Sequence, residues 1–220
     1  MTPEDIEALS FEIINAEAGA HPFVHDQWQI VRRMIHTTAD FEWIQTVRFH
    51  PKAIAAGIEA IRSGKPIVTD TRMAASGINR SRLSDFGVDI HCLIDDPQVI
   101  ERAKESGTTR SMAAIDQAVS RFPEGIFVIG NAPTALLRLI GHIRTKSVAP
   151  ALVIGLPVGF VQAAESKAEL LKLDLPFISN VGRKGGSAVA ASVVNALSLL
   201  AQPIAARNCA GCNNPAKAFS

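Results

Sequence analysis

Cysteine is scarce in this chain, three residues among 220, which excludes a disulfide framework as the source of its stability. Cys92 lies in an apolar stretch and reads as core. Cys209 and Cys212 have the spacing of half a zinc site or a redox pair. No second such pair and no His pair follows, so they read as free thiols in a polar tail. Charge of one sign is also missing: 22 Lys and Arg stand against 21 Asp and Glu. No overall field can hold a polyanion such as nucleic acid, and any anion site has to be local. Long apolar runs are absent too. The two most hydrophobic stretches are broken by Gly155, Pro157 and Gly159, and by Ser192 and Asn195, so neither supplies the roughly 20 residues of a membrane span. The start, Met1-Thr2-Pro3-Glu4-Asp5, has neither the basic residues nor the apolar run of a secretion signal, which points to the cytoplasm.

What is present suits a packed protein. Hydrophobic residues make up 47% and charged residues 20%, the balance of a globular core rather than a disordered chain. The length fits one domain, expected over residues 1–202 with a tail from 203 to 220, and no linker or internal repeat divides it. The first third reads as helices. Thr2 is an N-cap with Pro3 behind it, and Ile6, Leu9, Ile13 and Ala16 mark one face until Gly19. A second helix begins near Asp26 and carries His36 on its last turn, and a third spans Pro51 to Ser63.

From Lys65 onward short β-branched runs alternate with helical segments. The runs are 67–69, 88–94, 126–129, 151–154 and 177–181, and the chain closes with a small-residue helix from Ser187 to Ala201. That alternation predicts a three-layer α/β/α fold: a mainly parallel five-stranded sheet preceded by N-terminal helices. In such folds ligands bind beyond the C-terminal ends of the strands, so the residues after each run define a candidate rim.

Those residues suit an anion. Gly182-Arg183-Lys184-Gly185-Gly186-Ser187 joins a strand to a helix: glycines admit close approach, the helix start offers N–H groups, and Arg183 and Lys184 add charge. It has neither the spacing of a Walker A loop nor that of a dinucleotide fingerprint. Thr108-Thr109-Arg110-Ser111 opens another helix with hydroxyls and a guanidinium, again apt for a carboxylate. Arg72, Asn131, Pro133, Thr134, Gly159 and Phe160 follow the remaining strands. Among six histidines, His21 and His25 are four apart, but Pro22 intervenes and no third ligand is evident, so no metal site is expected. No serine stands in a nucleophile elbow. The residues alone give an anion-friendly rim, one candidate proton carrier in His36 and no cofactor motif. A phosphate or nucleotide binder of flavodoxin-like build, or a carrier that binds without catalysis, fits them as well.

Three longer segments, residues 130–136, 155–167 and 182–188, resemble the precorrin-8X methylmutases in wording, order and spacing. The resemblance extends upstream through Ser10-Phe11-Glu12-Ile13-Ile14, Val31-Arg32-Arg33-Met34-Ile35-His36 and Gly107-Thr108-Thr109-Arg110-Ser111, covering about residues 8 to 202. It implies an isomerase of cobalamin biosynthesis without a cofactor, a homodimer with sites near the subunit interface, and a 1,5-sigmatropic methyl shift on a corrinoid substrate. It also implies that His36 is the catalytic acid/base, and that Ser10 and Arg110 bind substrate. Thr37 or Thr38, being adjacent, is expected to orient the imidazole. The run from His36 to Glu42 is nearer the anaerobic branch of the family, whose substrate is cobalt-precorrin-8. On that reading Arg72, Arg110, Arg183 and Lys184 grip the carboxylate arms of the macrocycle while Phe160 meets its face.

Overall fold

The computed structural model describes residues 1–203, and the Cys209 and Cys212 pair lies outside them. The N-terminal part contains α1 (Pro3–Ala18), α2 (His25–Thr38), a single turn α3 (Trp43–Thr46), β1 (Val47–Phe49) and α4 (Ala53–Arg62). There follow β2 (Ile67–Thr69), α5 (Arg72–Gly77), α6 (Arg80–Ser84), β3 (Ile90–His91), α7 (Pro97–Glu105), α8 (Arg110–Arg121) and β4 (Ile126–Ile129). The last third holds α9 (Pro133–Arg144), β5 (Leu152–Gly155), α10 (Ala163–Leu170), β6 (Phe177–Asn180) and α11 (Ser187–Ala201). No helix among the described residues is long and apolar enough to cross a membrane.

The sheet has six strands in the order β1-β6-β5-β4-β2-β3, one more than the five expected. The addition is β1, paired antiparallel to β6 with Val47 opposite Asn180, whereas β2 to β6 are parallel. β1 is three residues at an edge, and its Val47-Arg48-Phe49 alternation is too short to show a period of two in the sequence. The expected run from Val88 to Ile94 pairs only at Ile90 and His91. Cys92, read above as core within that strand, instead follows it and is half-buried.

Side-chain alternation along the strands builds two cores. Ile126, Val128, Leu152, Ile154 and Ile178 face α2, α4, α6 and α11. Phe127, Ile129, Val153 and Phe177 face α7, α8, α9 and α10. All four residues of β4 are buried, and each contributes roughly 1.5–3 kcal/mol of hydrophobic stabilisation. At the centre of the first layer α11 packs against α2, α4 and α5. Gly57 on α4 makes this possible, since a Cβ there would meet the Leu197 and Leu152 side chains at 3.0–3.1 Å. Helix ends follow local chemistry. Thr2 and Asp5 form a reciprocal capping box at α1, with bonds of 2.8 and 3.2 Å. α2 stops where Ala39 turns left-handed at φ 52° and donates its N–H to the Ile35 carbonyl.

Candidate active site

Five parallel strands deliver their C-terminal ends to one edge, and the loops that leave them are bonded to one another. The organising group is Asp70, directly after β2 and 4% exposed. Its Oδ1 accepts the Gly130 N–H at 3.0 Å, and its Oδ2 accepts those of Asn131 at 2.8 Å and Ala132 at 2.7 Å. The start of α9 has no capping side chain of its own, so a carboxylate from β2 fills that role from across the sheet. Burial pushes the Asp70 carboxyl above its ordinary range, and the three donors oppose that push. Thr71 Oγ1 lies 2.8 Å from Ser187 Oγ, tying the same loop to the first residue of α11.

The loop after β6 is seated on the loop after β5. Gly186 donates to the Leu156 carbonyl at 2.9 Å and Gly159 to the Arg183 carbonyl at 3.2 Å. Gly182 and Gly186 have φ of 86° and 136°, a region that side chains disfavour. At Gly185 a Cβ would overlap the Leu156 carbonyl oxygen and reach within 2.7 Å of the Pro157 oxygen. Beneath this loop Lys167 of α10 is fully buried, and its Nζ donates to Asn180 Oδ1 at 3.1 Å and to the Lys184 carbonyl at 2.6 Å.

Cations ring this edge. Arg72 and Arg110, the first residues of α5 and α8, both reach Asp95, at 2.6 and 3.7 Å. Their side chains stay 76% and 56% exposed, so each keeps donor edges for a further carboxylate. Thr109 caps α8 by accepting the Met112 N–H at 3.2 Å, and its hydroxyl lies 3.4 Å from that of Thr134 on α9. Ser111 is half-buried in the first turn of α8, and Pro133 is half-buried in that of α9. Asn131 is exposed, its backbone N–H consumed by Asp70. Arg183 stacks over the Phe160 ring at 5.5 Å. Phe160 and Val161, at 84% and 78% exposure, and Met73, at 70%, make this charged edge apolar in places.

His36 is exposed on the last turn of α2, its ring 5.1 Å from that of buried Phe11 on α1. Ser10, next to Phe11, is half-buried and bonds the Ile6 carbonyl at 2.7 Å. Four residues beyond His36, Asp40 receives Lys184 Nζ at 2.6 Å, and Glu42 receives the same ammonium at 2.6 Å. This pairing holds the Asp40 carboxyl below, and the Lys184 ammonium above, its ordinary range. The end of α2 is thus tied to the β6 loop. One expectation is corrected. Thr37 and Thr38 do not orient the imidazole through their hydroxyls, which turn back onto the Arg33 and Met34 carbonyls at 2.8 Å each. Thr38 also accepts the Trp43 indole N–H at 2.8 Å. A helical threonine satisfies itself on the preceding turn, so adjacency in sequence says nothing about its aim.

Asp70 and Lys167 carry the architecture of this edge, and sequence reasoning assigned neither a role. The only available hint was an acidic residue directly after a β-branched strand and a lysine within a helix of small residues. Among the described residues, no three His, Cys, Asp or Glu side chains are grouped to hold a metal ion.

Comparisons with known proteins agree with one another. The family model of precorrin-8X methylmutase matches residues 5–200. A cobalt-precorrin-8 methylmutase of Priestia megaterium is 53% identical over 199 residues, covering 90% of this chain and 88% of that protein. A precorrin-8X methylmutase of Pseudomonas aeruginosa is 41% identical over 191 residues, covering 86% and 91%. The crystal structure of a precorrin-8X methylmutase from Thermus thermophilus superposes with a TM-score of 0.84 at 45% identity, covering 90% of this chain and 95% of that one.

Proposed function

The chain belongs to the precorrin-8X methylmutase family, and on that premise we propose that it moves a methyl group from carbon 11 to carbon 12 of a corrinoid precursor in cobalamin biosynthesis. Precorrin-8X or cobalt-precorrin-8 is the substrate, and the relative at 53% identity bears the cobalt name. The reaction is a rearrangement within one molecule. It requires no nucleophile, so the protein has two tasks: to fix one orientation and tautomer of the ring, and to move a proton.

The rim supplies the first. A contracted tetrapyrrole is flat and apolar on its faces and carries carboxylate arms around its edge. Arg72 opens α5, Arg110 opens α8, and Arg183 and Lys184 share the loop after β6, so the cations come from three separate segments, as a molecule with arms in several directions requires. Phe160, under the Arg183 guanidinium, and Val161 are exposed and available to meet the face. The hydroxyls of Ser10, Thr37, Thr109, Ser111, Thr134 and Ser187, the Asn131 amide, and the backbone at Pro133, Gly159, Gly185 and Gly186 complete the set of substrate contacts in this reading. His36 supplies the second task, exchanging a proton with the macrocycle while the methyl group migrates. The observation that carries the reading is the ion pair from Lys184 to Asp40, which keeps the His36 turn in register with the carboxylate-gripping loop. We take residues 1–202 as one domain acting in the cytoplasm as a homodimer. Ile6, Leu9 and Ile13 support a dimer, since they form an exposed apolar stripe on α1.

His36→Ala separates this from a carrier that binds without catalysis. The expected result is a loss of isomerisation of about 100-fold or more, the usual contribution of a general acid/base, with product corrinoid still bound. Unchanged turnover would remove His36 from the mechanism. A wild-type protein that binds corrinoid and never converts it would replace the enzyme with the carrier.

A further inference from the structure

Lys167 is the one charged side chain among the largest fully buried groups of the described residues. An unneutralised ammonium inside a protein is among the least favourable placements, and an apolar residue of similar volume usually fits such a position at no loss of stability. Among the described residues no carboxylate offsets the charge. Burial governs it and pushes the ammonium's pKa down to about 8. The ionisable neighbours are accounted for elsewhere. On α9, Arg138 and His142 engage Asp116, and Arg144 engages Glu169. On α10 itself, Glu169 is also bound by Lys172, and Glu165 is exposed. In the β6 loop, Arg183 stacks on Phe160, and the Lys184 side chain points to Asp40 and Glu42. β5 and β6 bring no ionisable group.

The two bonds of Lys167 are both spent on the rim. Its partner Asn180 donates to the Val181 and Lys184 carbonyls at 3.0 Å each, so the Lys184 carbonyl accepts from lysine and amide together. That one carbonyl separates Lys184, which reaches out to α2's end, from Gly185, which has no room to shift against Leu156.

We propose that Lys167 is a positioning residue of the methyl-shift site: its buried ammonium holds the Lys184 carbonyl from beneath and gives the 182–187 loop an unpaired positive charge that favours a carboxylate-bearing substrate. The proposal rests on the corrinoid reading above. Loop shape and local potential both enter substrate affinity, so the effect belongs in KM rather than in the chemical step.

The test uses the full chain, with KM, kcat and product-corrinoid affinity measured across about pH 6 to 10, a span that brackets lysine deprotonation at this site. Lys167→Met, of similar volume and uncharged, is expected to raise KM and weaken product binding about tenfold with kcat changed far less. The wild type should show KM rising above about pH 8, and Lys167→Met should lack that limb. Asn180→Asp keeps the lysine and puts a charge beside it. It should move the limb to higher pH and raise KM at neutral pH, since the buried charge is then neutralised. KM within about twofold of wild type in Lys167→Met, or a limb that Asn180→Asp does not move, overturns the proposal. Should Lys167→Met fail to fold, the limb in Asn180→Asp decides by itself. A wild type that isomerises no corrinoid overturns the reading of the whole site instead, a different result from active enzyme with an unresponsive KM.

Discussion

Asp70→Ala deprives three N–H groups, two of them buried, of their acceptor at once, and the structure sets the size of the effect. The bonds are short, at 3.0, 2.8 and 2.7 Å, the acceptor is ionisable, and the residue is 4% exposed. A buried donor left unpaired costs about 1–3 kcal/mol, and removal of a buried charged partner about 3–5 kcal/mol in total. We expect a loss of about 3–5 kcal/mol, because water can reach Asn131, which is exposed, more easily than Gly130 or Ala132. In urea denaturation, with a slope near 2–3 kcal/mol per molar, the midpoint should fall by roughly 1–2.5 M at unchanged slope. Asp70→Asn keeps one oxygen for two of the donors and turns an amide against the third, so about half of that loss is expected. A fall of less than about 1 kcal/mol for the alanine variant would show that the start of α9 is held by something other than this carboxylate.

Three other perturbations probe the same edge and its surroundings. Gly185→Ala has to displace the Leu156 and Pro157 carbonyls, so the melting temperature should fall by roughly 5–10 °C and KM should rise. Lys184→Ala breaks two exposed ion pairs. It should leave the melting temperature within about 2 °C while weakening product binding several-fold, and the reverse pattern would make the pair a stability device. Asp116 is desolvated, which raises its pKa, but bonds from Arg138 and His142 outweigh this and leave it below its ordinary value. The folded carboxyl therefore gives up its proton more readily than the unfolded one. The stability it contributes is complete above the unfolded value and is lost as pH falls through the folded one. Melting curves below about pH 4 should decline more gently in Asp116→Asn than in the wild type.

The layered fold was legible because its strands are buried on both faces. Ile126-Phe127-Val128-Ile129 is apolar throughout, and the helix from Ser187 to Ala201 was read with its observed ends. Elements that depend on distant partners were not. β1 exists only by pairing with β6. α5 and α6 are short helices steadied from α11, where Asn195 accepts the Asn79 N–H and donates to the Gly77 carbonyl, each at 2.8 Å. The rim was visible as glycine, proline and cations after each strand. What locks it was not, because a lone Asp or Lys in a sequence reads as solvated until tertiary contacts bury it. Asp95 shows the same blindness: its meeting with Arg72 and Arg110 joins segments that carry no mutual signal along the chain.

α11 packs against α2, α4 and α5 and begins at the loop after β6, so it cannot shift without disturbing the helices around it. A displacement of Ser187 would have to be shared with α2, the helix that carries His36 on its last turn. If the loop after β6 grips the substrate and His36 moves the proton, as proposed above, substitutions deep in α11, far from any ligand, should alter both together.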